Sequence, residues 1–83
     1  MSTQADVVAI LAEVLHLGAR ATTFDASTPL LGSIAELDSM AVVTLITRIE
    51  EQFGFVVNDD DVSAETFESV GSLTRFVDSK LGG

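Results

Sequence analysis

The stretch ELDSMAVVTLITRIEEQFGF, residues 36–55, decides how the chain reads. Val42, Leu45, Ile46, Ile49 and Phe53 recur at i, i+3, i+4, i+7 and i+11, which places them on one face of a helix. Asp38 precedes the pattern and can accept a hydrogen bond from a first-turn amide. Gly54 follows it as a C-terminal stop. The spacing predicts a helix over about 39–53. On that helix Met40 falls nearly opposite the centre of the core stripe. Val43 lies between Met40 and the core edge, and Thr47 sits between those two. A second, weaker apolar strip therefore begins beside Ser39 and is not explained by packing within the domain. Apolar residues with a polar rim suggest a partner surface.

Working outward, Val7, Ile10, Leu11, Val14 and Leu15 give a first amphipathic face. A helix is predicted at about 4–17, capped by Thr3 or Ser2 and closed by Gly18. Residues 19–37 show no period and contain Pro29 and Gly32. A connection that long in a small domain is functional or anchored by its own apolar side chains. Phe24, Leu30, Leu31, Ile34 and Leu37 are the candidate anchors. After the second helix, Phe55, Val56 and Val57 read as a buried connector, and a short third helix is expected at about 60–66. Val70, Leu73, Phe76, Val77 and Leu81 mark a fourth helix at about 70–80, with Ser69 as N-cap. The whole, residues 1–83, reads as a single all-α domain, a small helical bundle.

The totals narrow the function. The chain has 83 residues, 47% of them hydrophobic, so apolar burial must hold the fold because there is no cysteine to form a disulfide or a thiolate metal site. A domain of this size has little room for a deep catalytic cleft, which favours a carrier or binding role over an enzyme. Thirteen acidic and four basic residues give a formal charge of −9, which disfavours nucleic acid and anionic membrane surfaces. No run reaches the length of a membrane span. The polar start, Met1 to Asp6, lacks the features of a signal peptide, so a soluble cytoplasmic protein is expected; a monomer is expected as well. Between Glu36 and Glu68 nine acidic residues face one basic residue, Arg48, a field that would steer basic partners.

Ser39 is a poor nucleophile on its own, because a hydroxyl needs a base and that base an orienting group. The single histidine, His16, lies near the end of the first helix, and nothing in the sequence brings it to Ser39. A helix start is, however, a good place to hold a phosphate, since free amides and the positive helix end face it. Taken alone, an Asp–Ser pair at this position is better explained by simple helix capping. An EF-hand beginning at Asp59 fails, because Ala64 and Val70 stand where glycine and glutamate are required. No metal site is expected.

"ELDSM" followed by "AVVTLITRIEEQFGF", an acidic patch and "ESVGSLTRFV" resembles the acyl carrier protein family over about residues 5–81. The hallmark of that family is Asp-Ser-Leu at the start of its second helix. Asp38 and Ser39 match it, and Met40 stands in place of leucine. The resemblance implies an antiparallel four-helix bundle with a long first loop and a short third helix. It implies 4′-phosphopantetheine attached to Ser39 by a phosphopantetheinyl transferase using coenzyme A, with acyl groups held as thioesters on that arm. Acyl-loading and acyl-transferring enzymes would dock on Met40, Val43, Thr44, Thr47 and Arg48. Carriers of fatty acid synthesis usually bear acids just after the motif, on the exposed side of that helix, where this chain has Ala41 and Thr44. That departure points to a specialised acyl-transfer, lipid or polyketide-type pathway. The alternatives are a peptidyl, aryl or D-alanyl carrier, or an unmodified acidic helical adaptor.

Overall fold

The computed structural model describes residues 3–32 and 38–82. Three α-helices, α1 (Thr3–Val14), α2 (Ser39–Phe53) and α3 (Val70–Lys80), are joined through three 3-10 turns at Gly18–Thr23, Asp59–Asp61 and Ala64–Phe67. Among the described residues there is no strand, and Pro29 and Ser69 form an isolated bridge. Helix α1 packs against both α2 and α3. It contributes Val7, Ile10 and Leu11 to the core, α2 contributes Leu45 and Ile49, and α3 contributes Val70, Leu73 and Val77. Leu15, Leu17, Ala21, Leu30 and Phe67 complete the core from the connections. Each large side chain taken fully out of water contributes about 1.5–3 kcal/mol before the entropy of ordering is set against it.

The first helix is shorter than the apolar spacing implies, ending at Val14 instead of near 17. Gly18 is not its cap. His16 takes the left-handed conformation, with φ 54°. The amide of Leu17 then reaches back to the carbonyl of Ala12 at 3.0 Å. That 6→1 bond is the closing bond of a Schellman turn, and it swings Leu17 inward to near-complete burial. Gly18 instead opens the first 3-10 turn, an element that the aperiodic reading of residues 19–37 did not anticipate. Thr3 is already helical and so does not precede the helix as its cap, and Ser2 lies outside the described residues.

The short third helix expected near 60–66 is replaced by the two 3-10 turns Asp59–Asp61 and Ala64–Phe67. Val62 and Ser63 between them are extended, so the run is broken before a full α-turn can close. Asp61 and Thr66 explain the break. The Asp61 carboxylate accepts from the amide of Asn58 at 3.0 Å, and the Thr66 hydroxyl accepts from the amide of Ser63 at 3.2 Å. Each short turn thus satisfies its own starting amide locally. Phe67, at the end of the second of these turns, is a core residue that the periodicity did not mark.

The long first connection lies against the start of α3. Leu30 and Leu31 donate to the carbonyls of Glu68 and Phe67, at 3.0 and 2.9 Å. Val70 and Gly71 donate to the carbonyls of Thr28 and Ala26, at 3.0 and 2.8 Å. Leu30 is fully buried and Phe24 half-buried, as expected of anchors, but Leu31 is exposed. Ile34 and Leu37 lie outside the described residues. Two further expectations are corrected. Val56 points outward at 72% exposure, while Phe55 beside it stacks on Phe53 with ring centroids 6.2 Å apart. Leu81 lies past the last turn of α3 and is exposed.

Lys80, near the end of α3, donates to the Asp61 carboxylate at 2.7 Å. Lys80 and the Asn58 amide hold the Asp61 carboxyl below its ordinary value near 3.8. The folded state therefore takes up this proton less readily than the unfolded chain. The stabilisation is present above the ordinary carboxylate range and is lost as pH falls through the folded value. Asp61→Asn should lower the urea midpoint at pH 6, and the difference from wild type should shrink as the pH is taken to about 3.

At Gly71 an added Cβ would lie 2.8 Å from the backbone oxygen of Ala26. Alanine would improve helix propensity by about 1 kcal/mol, but overpacking against backbone costs about 1–3 kcal/mol. Gly71→Ala should therefore lower stability in urea titration.

Candidate functional site

The start of α2 is built by Asp38. Its backbone is extended, with φ −105° and ψ −176°, and its carboxylate Oδ1 accepts from the amide of Ala41 at 2.8 Å. Its carbonyl oxygen accepts the first intrahelical bond, from Val42, at 2.9 Å. The side-chain cap expected of Asp38 is thus in place. At the other end Gly54, with φ 76°, donates its amide to the carbonyl of Glu50 at 2.9 Å.

Ser39 is the first residue of the helix and is exposed. Helix geometry leaves the amides of Ser39 and Met40 without a carbonyl one turn earlier, so the positive end of the helix faces the serine. Leu45 and Ile49 pin the helix to the core, with Val42, Ile46 and Phe53 half-buried beside them. The serine therefore stands on a rigid element and not on a loose loop. An apolar crevice of about 300 Å³, lined by Leu31, Val42, Val62, Ser63, Ala64 and Phe67, opens on the side of Val42, one turn on from Ser39.

Of the other residues singled out, Met40 is 74% and Val43 61% exposed, and Thr44 and Thr47 are exposed too. Both hydroxyls turn back onto the helix. Thr44 donates to the carbonyl of Met40 at 3.1 Å, and Thr47 to that of Val43 at 3.0 Å. Arg48 differs from the others in its surroundings. Its guanidinium binds both carboxylate oxygens of Glu13 on α1, at 3.1 and 2.9 Å, and lies 3.9 Å from Glu51. Its charge is committed inside the domain. Ala41, read as lying on the outer side of the helix, is half-buried and packs against the core.

The sequence reading missed two contacts that shape this region. Glu50 accepts the amide of Val57 at 2.7 Å, which ties the chain leaving α2 back to the helix. The Glu13–Arg48 pair spans 35 residues, and no local signal marks it. Among the described residues no group of three or more His, Cys, Asp or Glu is placed to hold a metal ion. None of the described helices is long and apolar enough to cross a membrane.

Residues 5–77 match the family described as phosphopantetheine attachment site. The chain belongs to the acyl carrier protein family. It also resembles a holo acyl carrier protein from Nitrosomonas europaea, solved by NMR in solution, with 54% sequence identity, a TM-score of 0.92 and complete coverage of both chains. The all-helical architecture is thus that of an acyl carrier protein. Its cofactor is covalently attached 4′-phosphopantetheine, and it is a carrier and not an enzyme. Transferases and acyl-handling enzymes are the partners that membership implies.

Removing the cap should loosen this carrier where the site begins. Asp38→Ala is expected to cost about 1 kcal/mol in urea titration, while Asp38→Asn, which keeps an acceptor oxygen, should cost less.

Proposed function

We propose that Ser39 is the residue that carries the phosphopantetheine arm. The observation that bears most weight is an exposed serine at the first position of α2, held by the Asp38 cap on a helix anchored in the core. The residues present suit a phosphodiester. The first-turn amides and the helix end favour an anion, and the Asp38 carboxylate is engaged with the Ala41 amide. When bound, the arm supplies the thiol on which acyl groups ride as thioesters.

What the chain itself contributes is position. Asp38 orients the first turn, Ser39 offers the only atom that needs to be modified, and the remainder of α2 keeps that atom away from the core. The apolar crevice beside Val42 gives a hydrophobic chain somewhere to leave water, at about 25 cal/mol per Å² of apolar surface covered.

We further infer a monomer working in the cytoplasm, loaded by a phosphopantetheinyl transferase and serving a dedicated acyl-transfer, lipid or polyketide-type pathway. The support for a dedicated pathway is the uncharged outer strip of α2, where Met40, Val43, Thr44 and Thr47 carry no acid.

Incubation with coenzyme A and a broad-range phosphopantetheinyl transferase should add one phosphopantetheine per chain by intact mass. Ser39→Ala should abolish the gain. Addition at another residue, or none to the wild type, defeats the assignment.

A further inference from the structure

The Ala64–Phe67 turn is a wall between two cavities. A 3-10 turn has three residues per turn, so side chains three apart stand on the same side of it. Ala64 and Phe67 line the apolar crevice beside Val42. Glu65 and Glu68 line a second cavity, a groove of about 490 Å³ against α3, with Thr66, Ser69, Ser72 and Arg75. Ser63, just before the turn, borders both cavities. A chain lying in the crevice therefore meets a polar groove as soon as it passes Ser63.

The groove is mixed in charge and rich in hydroxyls. Glu65, Glu68 and Arg75 are all exposed, and among the described residues no ion pair or hydrogen bond engages the Arg75 guanidinium. Two of the hydroxyls are committed. Ser72 shares its proton between the carbonyls of Thr66 and Ser69, at 3.0 and 2.9 Å, and Ser69 accepts from the Ser72 amide at 3.2 Å. The Thr66 hydroxyl accepts from the Ser63 amide at 3.2 Å, yet among the described residues it donates to nothing, and neither does that of Ser63. Two open donors thus stand where the groove adjoins the crevice.

Resting on Ser39 as the anchor and on the crevice as the place where the acyl chain leaves water, we propose that the groove receives a hydroxyl carried on that chain beyond its apolar part. The cargo is then a hydroxylated acyl group, its hydroxyl remote from the thioester. Charge selects this class. A carboxylate end would meet Arg75 but also two glutamates, and an ammonium end would meet the glutamates but also Arg75. Either charged end would shed hydration along an apolar passage, and exposed ion pairs return little of that cost. A methyl end gains nothing among polar side chains. A hydroxyl both donates and accepts, and it meets Ser63 and Thr66 with no charge conflict.

The test loads the intact chain from acyl-coenzyme A thioesters with a broad-range phosphopantetheinyl transferase. The acyl groups are octanoyl and dodecanoyl, each with a methyl, hydroxyl, carboxylate or ammonium end. Nitrogen–proton correlation spectra then locate the chain. Methyl- and hydroxyl-ended chains should both move the amides of Val42 and Val62. Only hydroxyl-ended chains, at one length or both, should also move those of Thr66, Ser69 and Arg75. Hydroxylamine should cleave their thioesters roughly threefold to tenfold more slowly than the methyl-ended ones, the margin of one further net hydrogen bond. Ser63→Ala with Thr66→Val should erase that margin, and Ser63→Ala alone, which keeps the acceptor of Thr66, should reduce it.

Groove amides that stay still with every chain, or that move as far with methyl-ended ones, overturn the hydroxyl site while leaving Ser39 as the anchor. A larger response to the carboxylate or ammonium end makes the groove a site for a charged group, and the proposal falls. A wild type that takes no arm strikes the anchor assignment instead. Loading with no response at Val42 or Val62 strikes the crevice, and the proposal falls with it.

Discussion

A small domain with a long connection between its first two helices must satisfy that connection's backbone or leave it loose. Residues 26–31 do this by pairing with residues 67–71, through four hydrogen bonds of 2.8 to 3.0 Å. The pairing brings Leu30 into the core and sets Gly71 directly against Ala26. It also joins the segment before α2 to the segment before α3, so that two connections stabilise each other. Neither is a strand, and each would have unsatisfied polar groups without the other.

On that base the start of α2 is fixed from two directions. Leu45 and Ile49 hold the helix from below, and the Asp38 carboxylate holds its first turn from above. The outcome is a serine that is exposed yet rigidly sited, the combination that the role proposed for Ser39 requires. Mobility belongs in the arm, and a mobile attachment point would only spread the positions that partners must search. The Glu13–Arg48 pair locks α2 to α1 on its flank, and Glu50 secures the chain leaving its end.

Much of this was legible in the sequence because it is local. The faces of α1, α2 and α3, the Asp38 and Ser69 caps and the Gly54 stop depend on residues within a turn or two of one another. Helix α1 was read too long because Leu15 keeps the apolar spacing although the helix has already ended. His16, which ends it, takes the left-handed position that glycine more often fills at a helix end. The 3-10 turns escaped because they have no period of 3.6 to follow. Arg48 was read as part of an outward face because its partner Glu13 is distant in the chain. Ala41 was read as exposed, although it packs against the core. Whether the hydroxyls of Thr44 and Thr47 face solvent or the helix backbone likewise depends on rotamers that spacing does not encode.

The absence of cysteine, first noted as a limit on how the fold can be held, has a second consequence once the cofactor is considered. The polypeptide has no sulfhydryl that could intercept an acyl group in transit. A disulfide between two such molecules can form only tail to tail, through the thiols of their prosthetic groups. A reductant then returns both to service with nothing to refold.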